Sequence, residues 1–508
     1  MKLNRTKNAA KNIFFGTILK IYQIIIPFFI RTAMIYLLGV EYLGLNSLFT
    51  SILQVLNLAE LGVGSAMVFS MYKPITEDDE TMICALMKLY KIYYRIIGIV
   101  ILILGLIVCP FVPRLIKSDV PADMNVYVLY ILNLMATVLS YWLFAYKNCL
   151  LQAHQRTDIT SKITIIVNTI IYIVQFILLF LFKNYYFYVI ALLLGQIATN
   201  ITTALIVDKM YPKYKAKGNL PKQQIKDINR RVKDLFTAKF GGVIVNSADS
   251  VVISAFLGLT VLAVYQNYYY ILTAIIGIVG VIFNSCTAGI GNSIIIESNE
   301  KNFNDLRKFT FIIAWIAGFC AAALLCLYQI FMEIWVGENL LLDFYCVVCL
   351  VIYFFVYEIN ALLNLYKDAA GIWHKDRFRP LVTALANLVL NLILVNFIGL
   401  YGVLLSTVIT MLCIGMPWII HNLFSEIFHI NPKEYIRRLC LYAFVTIFVV
   451  SITYMICNFI KGNSIIIMII KAIVCFIISN ILYFTIYRNL KEYKEAKELV
   501  YKMLKNKK

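Results

Sequence analysis

The chain has 508 residues, 61% of them hydrophobic and only 14% charged, with a mean hydropathy of +0.81. Soluble domains carry about 45–50% apolar and about 25% charged residues, so a soluble multidomain enzyme is excluded. The net charge of +19, from 46 Lys and Arg against 27 Asp and Glu, points to basic loops facing anionic lipid. It does not point to nucleic acid, because no aromatic-laced soluble module gathers those residues.

A bilayer-spanning helix needs about 20 apolar residues. Taken in chain order, such runs number about fourteen. They fall at 13–38, 43–70, 90–113, 123–147, 160–182, 186–207, 236–257, 261–293, 309–332, 342–366, 380–398, 402–423, 437–460 and 464–487. The class is therefore an all-α integral membrane protein. The first run has basic flanks but no small-x-small cleavage site, so it is expected to stay as a span and not to act as a signal. With the N-terminus inside, the outside loops hold only Arg114, Lys117, Lys183 and Lys461, and nearly all other basic residues lie inside. That asymmetry predicts an even span count with both termini cytoplasmic. The predicted organisation is an N-lobe of six spans (1–208), a basic cytoplasmic connector (209–235) and a C-lobe of six spans (236–424). Two further spans (425–488) and a Lys/Glu-patterned tail (489–508) at the inner surface follow.

The lobes carry a repeat. IYLLGVEYLGLNSL (35–48) aligns with SAFLGLTVLAVYQN (254–267), placing Gly39 on Gly258 at an offset of about 219 residues. Six spans separate the copies, as in parallel transporter repeats. The same offset carries Lys20 onto Lys239.

Charges inside a bilayer are costly and mark function. Lys20 and Arg31 lie eleven residues apart, about 20° around a helix, with Pro27 on their face. A face with two cations and a proline is expected to line a watery cavity. Arg31 keeps its proton, has no carboxylate at its depth in the second span, and can fork onto phosphate oxygens. In the seventh span Lys239, Asn246 and Ser250 share a face, with Asp249 about 80° away. Glu60 and Glu358 match the depth of Lys20 and Lys239. They serve either as gating or coupling carboxylates of the cavity, or, for Glu60, as the neutralising partner of Lys20. The Cys residues sit in apolar runs as small hydrophobes. No ligand set for a metal is expected, nor a cofactor, and no Walker-type, HExxH or GxSxG pattern suggests an enzyme.

Three stretches carry a resemblance. RTAMIYLLGVEYLGLNSLFTSIL with LNLAELGVGSA, then NSADSVVISAFLGLTVLAVYQNYYYI, then ANLVLNLILVNFIGLYGVLLSTVI (with Asn387, Asn391, Gly399 and Gly402) resemble bacterial polysaccharide-repeat-unit flippases of the Wzx type. Those belong to the multidrug/oligosaccharidyl-lipid/polysaccharide exporter superfamily. The resemblance implies two six-helix lobes, related by a parallel pseudo-two-fold, around a cavity that opens alternately to each side. It implies undecaprenyl-pyrophosphate-linked oligosaccharide as substrate, with membrane lipids and polysaccharide polymerase or chain-length and export machinery as partners. Arg31, Lys20 and Lys239 become the cavity cations, and the extra spans offer a surface for the lipid tail, with Lys471 near its headgroup. Tyr22, Tyr36, Tyr265, Tyr268, Tyr269 and Tyr270 are either sugar-stacking or packing residues. An ion-coupled multidrug exporter, a lipid II flippase and a membrane glycosyltransferase or polymerase are the alternatives. The outside loops are too short for the last.

Overall fold

The computed structural model describes residues 5–117, 120–121 and 123–505. Among the described residues there are helices and no strands. In order they are α1 (Arg5–Leu37), α2 (Val40–Leu56), α3 (Val63–Thr76), α4 (Glu80–Val108), α5 (Val126–Trp142), α6 (Asn148–Ala153), α7 (Thr157–Phe182), α8 (Tyr185–Met210), α9 (Lys222–Leu257) and α10 (Leu259–Ile296). Then come α11 (Asn299–Val336), α12 (Phe344–Ala369), α13 (Trp373–Asp376), α14 (Arg379–Ile398), α15 (Leu400–Thr410), α16 (Met416–Leu423), α17 (Lys433–Asn458), α18 (Ile465–Tyr487) and α19 (Lys491–Lys505).

Among the described residues, twelve helices are long and apolar enough to cross a membrane, or thirteen if α5 and α6, bent by 46°, count as one span. The chain is a multi-pass membrane protein. The expected seventh span lies in α9, of which Ser247–Leu257 stands out among the described residues as a shorter apolar stretch. Side-chain caps start many of the helices, because the first turn leaves backbone N–H groups without partners. Asp79 accepts from Met82 N, Asn184 from Tyr186 N and Ser298 from Lys301 N.

The chain divides into two compact units, Met1–Ala263 and Val264–Lys508. The division falls after Ala263 and not in the 209–235 connector, because α9 packs on α2 and α3. A stripe of buried small residues, Ser247, Ser250 and Ser254, runs along α9. Small residues let helices approach closely. The approach is tight at Gly44, where a Cβ would lie 2.3 Å from the Leu259 carbonyl oxygen. The repeat seen in the sequence has a geometric counterpart: Gly39 (φ 125°, ψ 162°) joins α1 to α2, and Gly258 (φ 98°, ψ 173°) joins α9 to α10. Each long helix reverses over one glycine in a backbone conformation that a Cβ disfavours.

In the second unit α11 packs against α12, α17, α18 and α19. Trp315 of α11 donates to Asn480 Oδ1 of α18 at 3.0 Å. The α14–α15 hairpin closes over a wholly buried polar network in which Asn387 donates to Thr407 Oγ1 at 2.9 Å and Ser406 bonds Asn391. At Gly402 a Cβ would lie 2.5 Å from the Leu394 carbonyl. Gly402→Ala is therefore expected to push the hairpin apart, at a cost of about 1–3 kcal/mol, and to lower the thermal midpoint in detergent. Gly415→Ala, where the nearest atoms lie at 3.8 Å, should leave it unchanged. Equal midpoints for the two variants would contradict the packing described.

Candidate functional site

The site is built from α1 upward. The N-terminal half of α1 is held against the α6–α7 region. Asn12 donates to the Gln155 carbonyl at 3.0 Å and accepts from Asp158 N at 2.8 Å, and the Lys162 ammonium lies 4.1 Å from the Phe15 ring centre. Tyr22 shares a hydrogen bond with Thr169 at 3.0 Å. Lys20 precedes Tyr22 by two residues, so it points about 160° away from that contact. It is exposed, and among the described residues no ion pair holds it. Arg31 is half-buried, about 9 Å of helix before Leu37, where α1 ends, and within electrostatic reach of Tyr188 on α8. The two cations share a face of an ideal helix but stand about 16 Å apart along it, with Pro27 between them.

Glu60 closes a short 3-10 turn, Asn57–Glu60, that breaks the span formed by α2 and α3. Gly62 (φ 87°) completes the break. The half-buried Glu60 carboxylate accepts from the Tyr94 hydroxyl at 3.0 Å, and Tyr94 in turn accepts from Tyr90 at 2.5 Å. No ion pair between Glu60 and Lys20 forms among the described residues.

Asp249 and Ser250 are buried on α9, at 9% and 2% exposure. Ser250 belongs to the small-residue stripe described above. Lys239 and Asn246 lie in α9, but their side chains fall outside the described residues. Glu358 is wholly enclosed in the second unit, with Cys320 of α11 nearby. Neither of its oxygens has a hydrogen-bond partner among the described residues.

The tyrosines divide. Tyr268 is fully buried, bonds Gln329, and accepts from Leu342 N at 3.3 Å. Tyr265 is buried and stacks on Tyr269 at 5.5 Å. Tyr36 is 65% exposed. Packing thus accounts for Tyr265 and Tyr268. No group of three or more His, Cys, Asp or Glu placed to hold a metal occurs among the described residues.

Sequence reasoning missed three features. Tyr90 and Tyr94, one turn apart, form the wall behind Glu60. Tyr141 donates to Asn57 Oδ1 at 3.2 Å across the same break. The third is a pair of buried carboxylates, one in each unit: Asp158, fully buried, held by Arg156, and Asp376, held by Arg379. The i, i+4 spacing of Tyr90 and Tyr94 was a usable signal. The long-range partners carried none.

Residues 9–287, more than half of the chain, match the sequence family described as polysaccharide biosynthesis protein. The chain belongs to that family. Among solved structures, the chain is similar to the lipid II flippase MurJ in an inward closed conformation. The two are 16% identical with a TM-score of 0.68, over 94% of this chain and 99% of that one. It is similar also to an inward-facing multidrug resistance MATE family transporter of the MOP superfamily, at 15% identity and a TM-score of 0.61, over 80% of this chain and 97% of that one. An outward-facing transporter of the same description gives 13% and 0.54, over 82% and 95%. At these identities the likeness is one of fold. No curated protein matches the sequence. The matched segment includes Lys20, Arg31, Glu60, Lys239, Asn246, Asp249 and Ser250, whereas Glu358 lies beyond it.

Proposed function

We propose that this protein is a flippase that carries undecaprenyl-pyrophosphate-linked oligosaccharide repeat units across a bacterial cytoplasmic membrane by alternating access. The product would feed a surface polysaccharide such as capsule, O-antigen or exopolysaccharide, and a polysaccharide polymerase with its chain-length or export machinery would take it up on the outer side. Both termini face the cytoplasm in this reading.

The observation that carries it is the placement of two cations at different depths of α1 in a chain of this family. A pyrophosphate and its sugars cannot cross hydrocarbon without partners for their polar groups. Lys20, exposed in the inner half of α1, meets the pyrophosphate first. Arg31, about 16 Å further out, receives it near the outer end. One diphosphate cannot bridge that distance, so the two cations act in succession. Lys239 serves as the second-half counterpart of Lys20. Glu60, Asp249 and Glu358 are the carboxylates available for gating or coupling, with Asn246 and Ser250 as neutral polar groups beside them. The isoprenoid tail remains in lipid throughout.

Complementation tests the reading. In cells lacking their own repeat-unit flippase, expression of this protein is expected to restore surface polysaccharide. Lys20→Ala and Lys239→Ala should each cut that export several-fold. Restored growth of cells depleted of their lipid II flippase, with no surface polysaccharide recovered, would assign the protein to peptidoglycan precursor instead. Efflux of organic cations as the sole activity would make it a multidrug exporter.

A further inference from the structure

Two broken spans of the first unit meet at one polar cavity. The first break is the Asn57–Gly62 segment between α2 and α3. The second is Leu143–Lys147 between α5 and α6, where Phe144 has a φ of 58°. The cavity between them holds about 230 Å³, and its polar wall is Glu60, Ser65, Tyr90, Tyr94, Asn148 and Gln152. Irregular backbone at membrane depth is tolerated only where protein buries it or where it lines a wet cavity, and interrupted spans are pointers to binding sites.

We infer that this cavity is a sugar subsite, taking one ring of the oligosaccharide. The inference rests on the flippase reading and adds to it where the sugar is held. Its wall mixes carboxylate, hydroxyl and carboxamide groups, which together accept and donate. A ring bearing several hydroxyls needs that mixture. Among the described residues no Lys or Arg lines the cavity. A bare cation is held by six to eight oxygens at 2.3–2.6 Å, or by fewer at shorter range. A space with room for about seven waters is too wide to close around one. Gly64 supports the assignment independently. It sits in regular helix and needs no special backbone freedom, yet a Cβ there would lie 3.1 Å from the Tyr90 hydroxyl and 3.3 Å from Glu60 Oε1. The glycine keeps open the corner where the hydroxyl and the carboxylate meet.

The test measures binding of purified, detergent-solubilised protein to undecaprenyl pyrophosphate and to the same lipid carrying one glucose, galactose or N-acetylglucosamine. At least one sugar is expected to tighten binding tenfold or more over the unglycosylated lipid. Gly64→Val should abolish that gain while changing undecaprenyl pyrophosphate binding less than twofold. Gln152→Leu, at an exposed wall position that the fold does not depend on, should reduce the gain at least threefold and guards against misfolding of the valine variant. If undecaprenyl pyrophosphate binds but no sugar adds affinity, the cavity holds only water and the inference falls while the flippase reading stands. A gain that survives both substitutions overturns it equally. If undecaprenyl pyrophosphate itself does not bind, the flippase reading falls and takes the subsite with it.

Discussion

Arg31→Ala is expected to reduce leaflet-to-leaflet movement of the lipid-linked oligosaccharide by roughly ten- to a hundred-fold while leaving the protein inserted and folded. The magnitude follows from hydrogen bonds to charged groups, worth about 1.5–3 kcal/mol. A guanidinium cannot shed its proton and can grip two phosphate oxygens at once. Arg31→Lys keeps the charge and loses the fork, so an intermediate rate is expected. Folding should survive, because the contacts that fasten the N-terminal half of α1 run through Asn12, Phe15 and Tyr22. Transport measured in proteoliposomes alongside a thermal midpoint separates the two effects. A wild-type rate in Arg31→Ala would remove this residue from the proposed path.

Asp376→Ala should be the most destabilising of the substitutions considered. Asp376 takes two bonds from Arg379, Nε to Oδ1 at 2.7 Å and Nη2 to Oδ2 at 2.8 Å, and accepts from Asn422 at 3.0 Å. The side chains of the pair are only 3% and 7% exposed. Removing one partner of a buried ion pair strands the other charge, at a cost of about 3–5 kcal/mol. For a unit of this size that corresponds to a fall in thermal midpoint on the order of 10 °C. The double variant Asp376→Ala with Arg379→Met removes both charges of the pair, leaves Lys367 (3.7 Å from Asp376) on its other partner Asp368 at 2.8 Å, and should recover most of the loss. A single variant whose midpoint stays within about 2 °C of wild type would mean that water reaches Arg379 and that the pair is not sealed.

Span positions were largely legible, because a run of about 20 apolar residues leaves the backbone no alternative to helix. The junction glycines were legible as well: the alignment of Gly39 with Gly258 picks out two positions that share one unusual backbone geometry. The helix breaks were not. Hydrophobicity runs unbroken through Leu143 and Phe144, where the helix bends and Phe144 takes a φ of 58°. Gly62 and Gly64 hinted at the other break but were read as part of a continuous run. The depth match of Glu60 with Lys20 was visible, yet the hydroxyl that bonds Glu60 comes from Tyr94 on a different helix, and only the folded chain brings it near. Glu358 shares a depth with Glu60, and depth does not say which side of a helix faces a neighbour. Nor does sequence order record that α9, which follows the basic connector, packs back on α2.

The central claim, that α1 carries a pyrophosphate-linked sugar across the bilayer, is tested most directly in liposomes. The purified protein is reconstituted with undecaprenyl-pyrophosphate oligosaccharide in the inner leaflet, and the fraction reaching the outer leaflet is followed with a membrane-impermeant sugar-cleaving or sugar-binding probe. The account predicts protein-dependent exposure of the sugar that is lost in Arg31→Ala. Sugar that stays in the loading leaflet, in vesicles where the same protein expels organic cations, would contradict it.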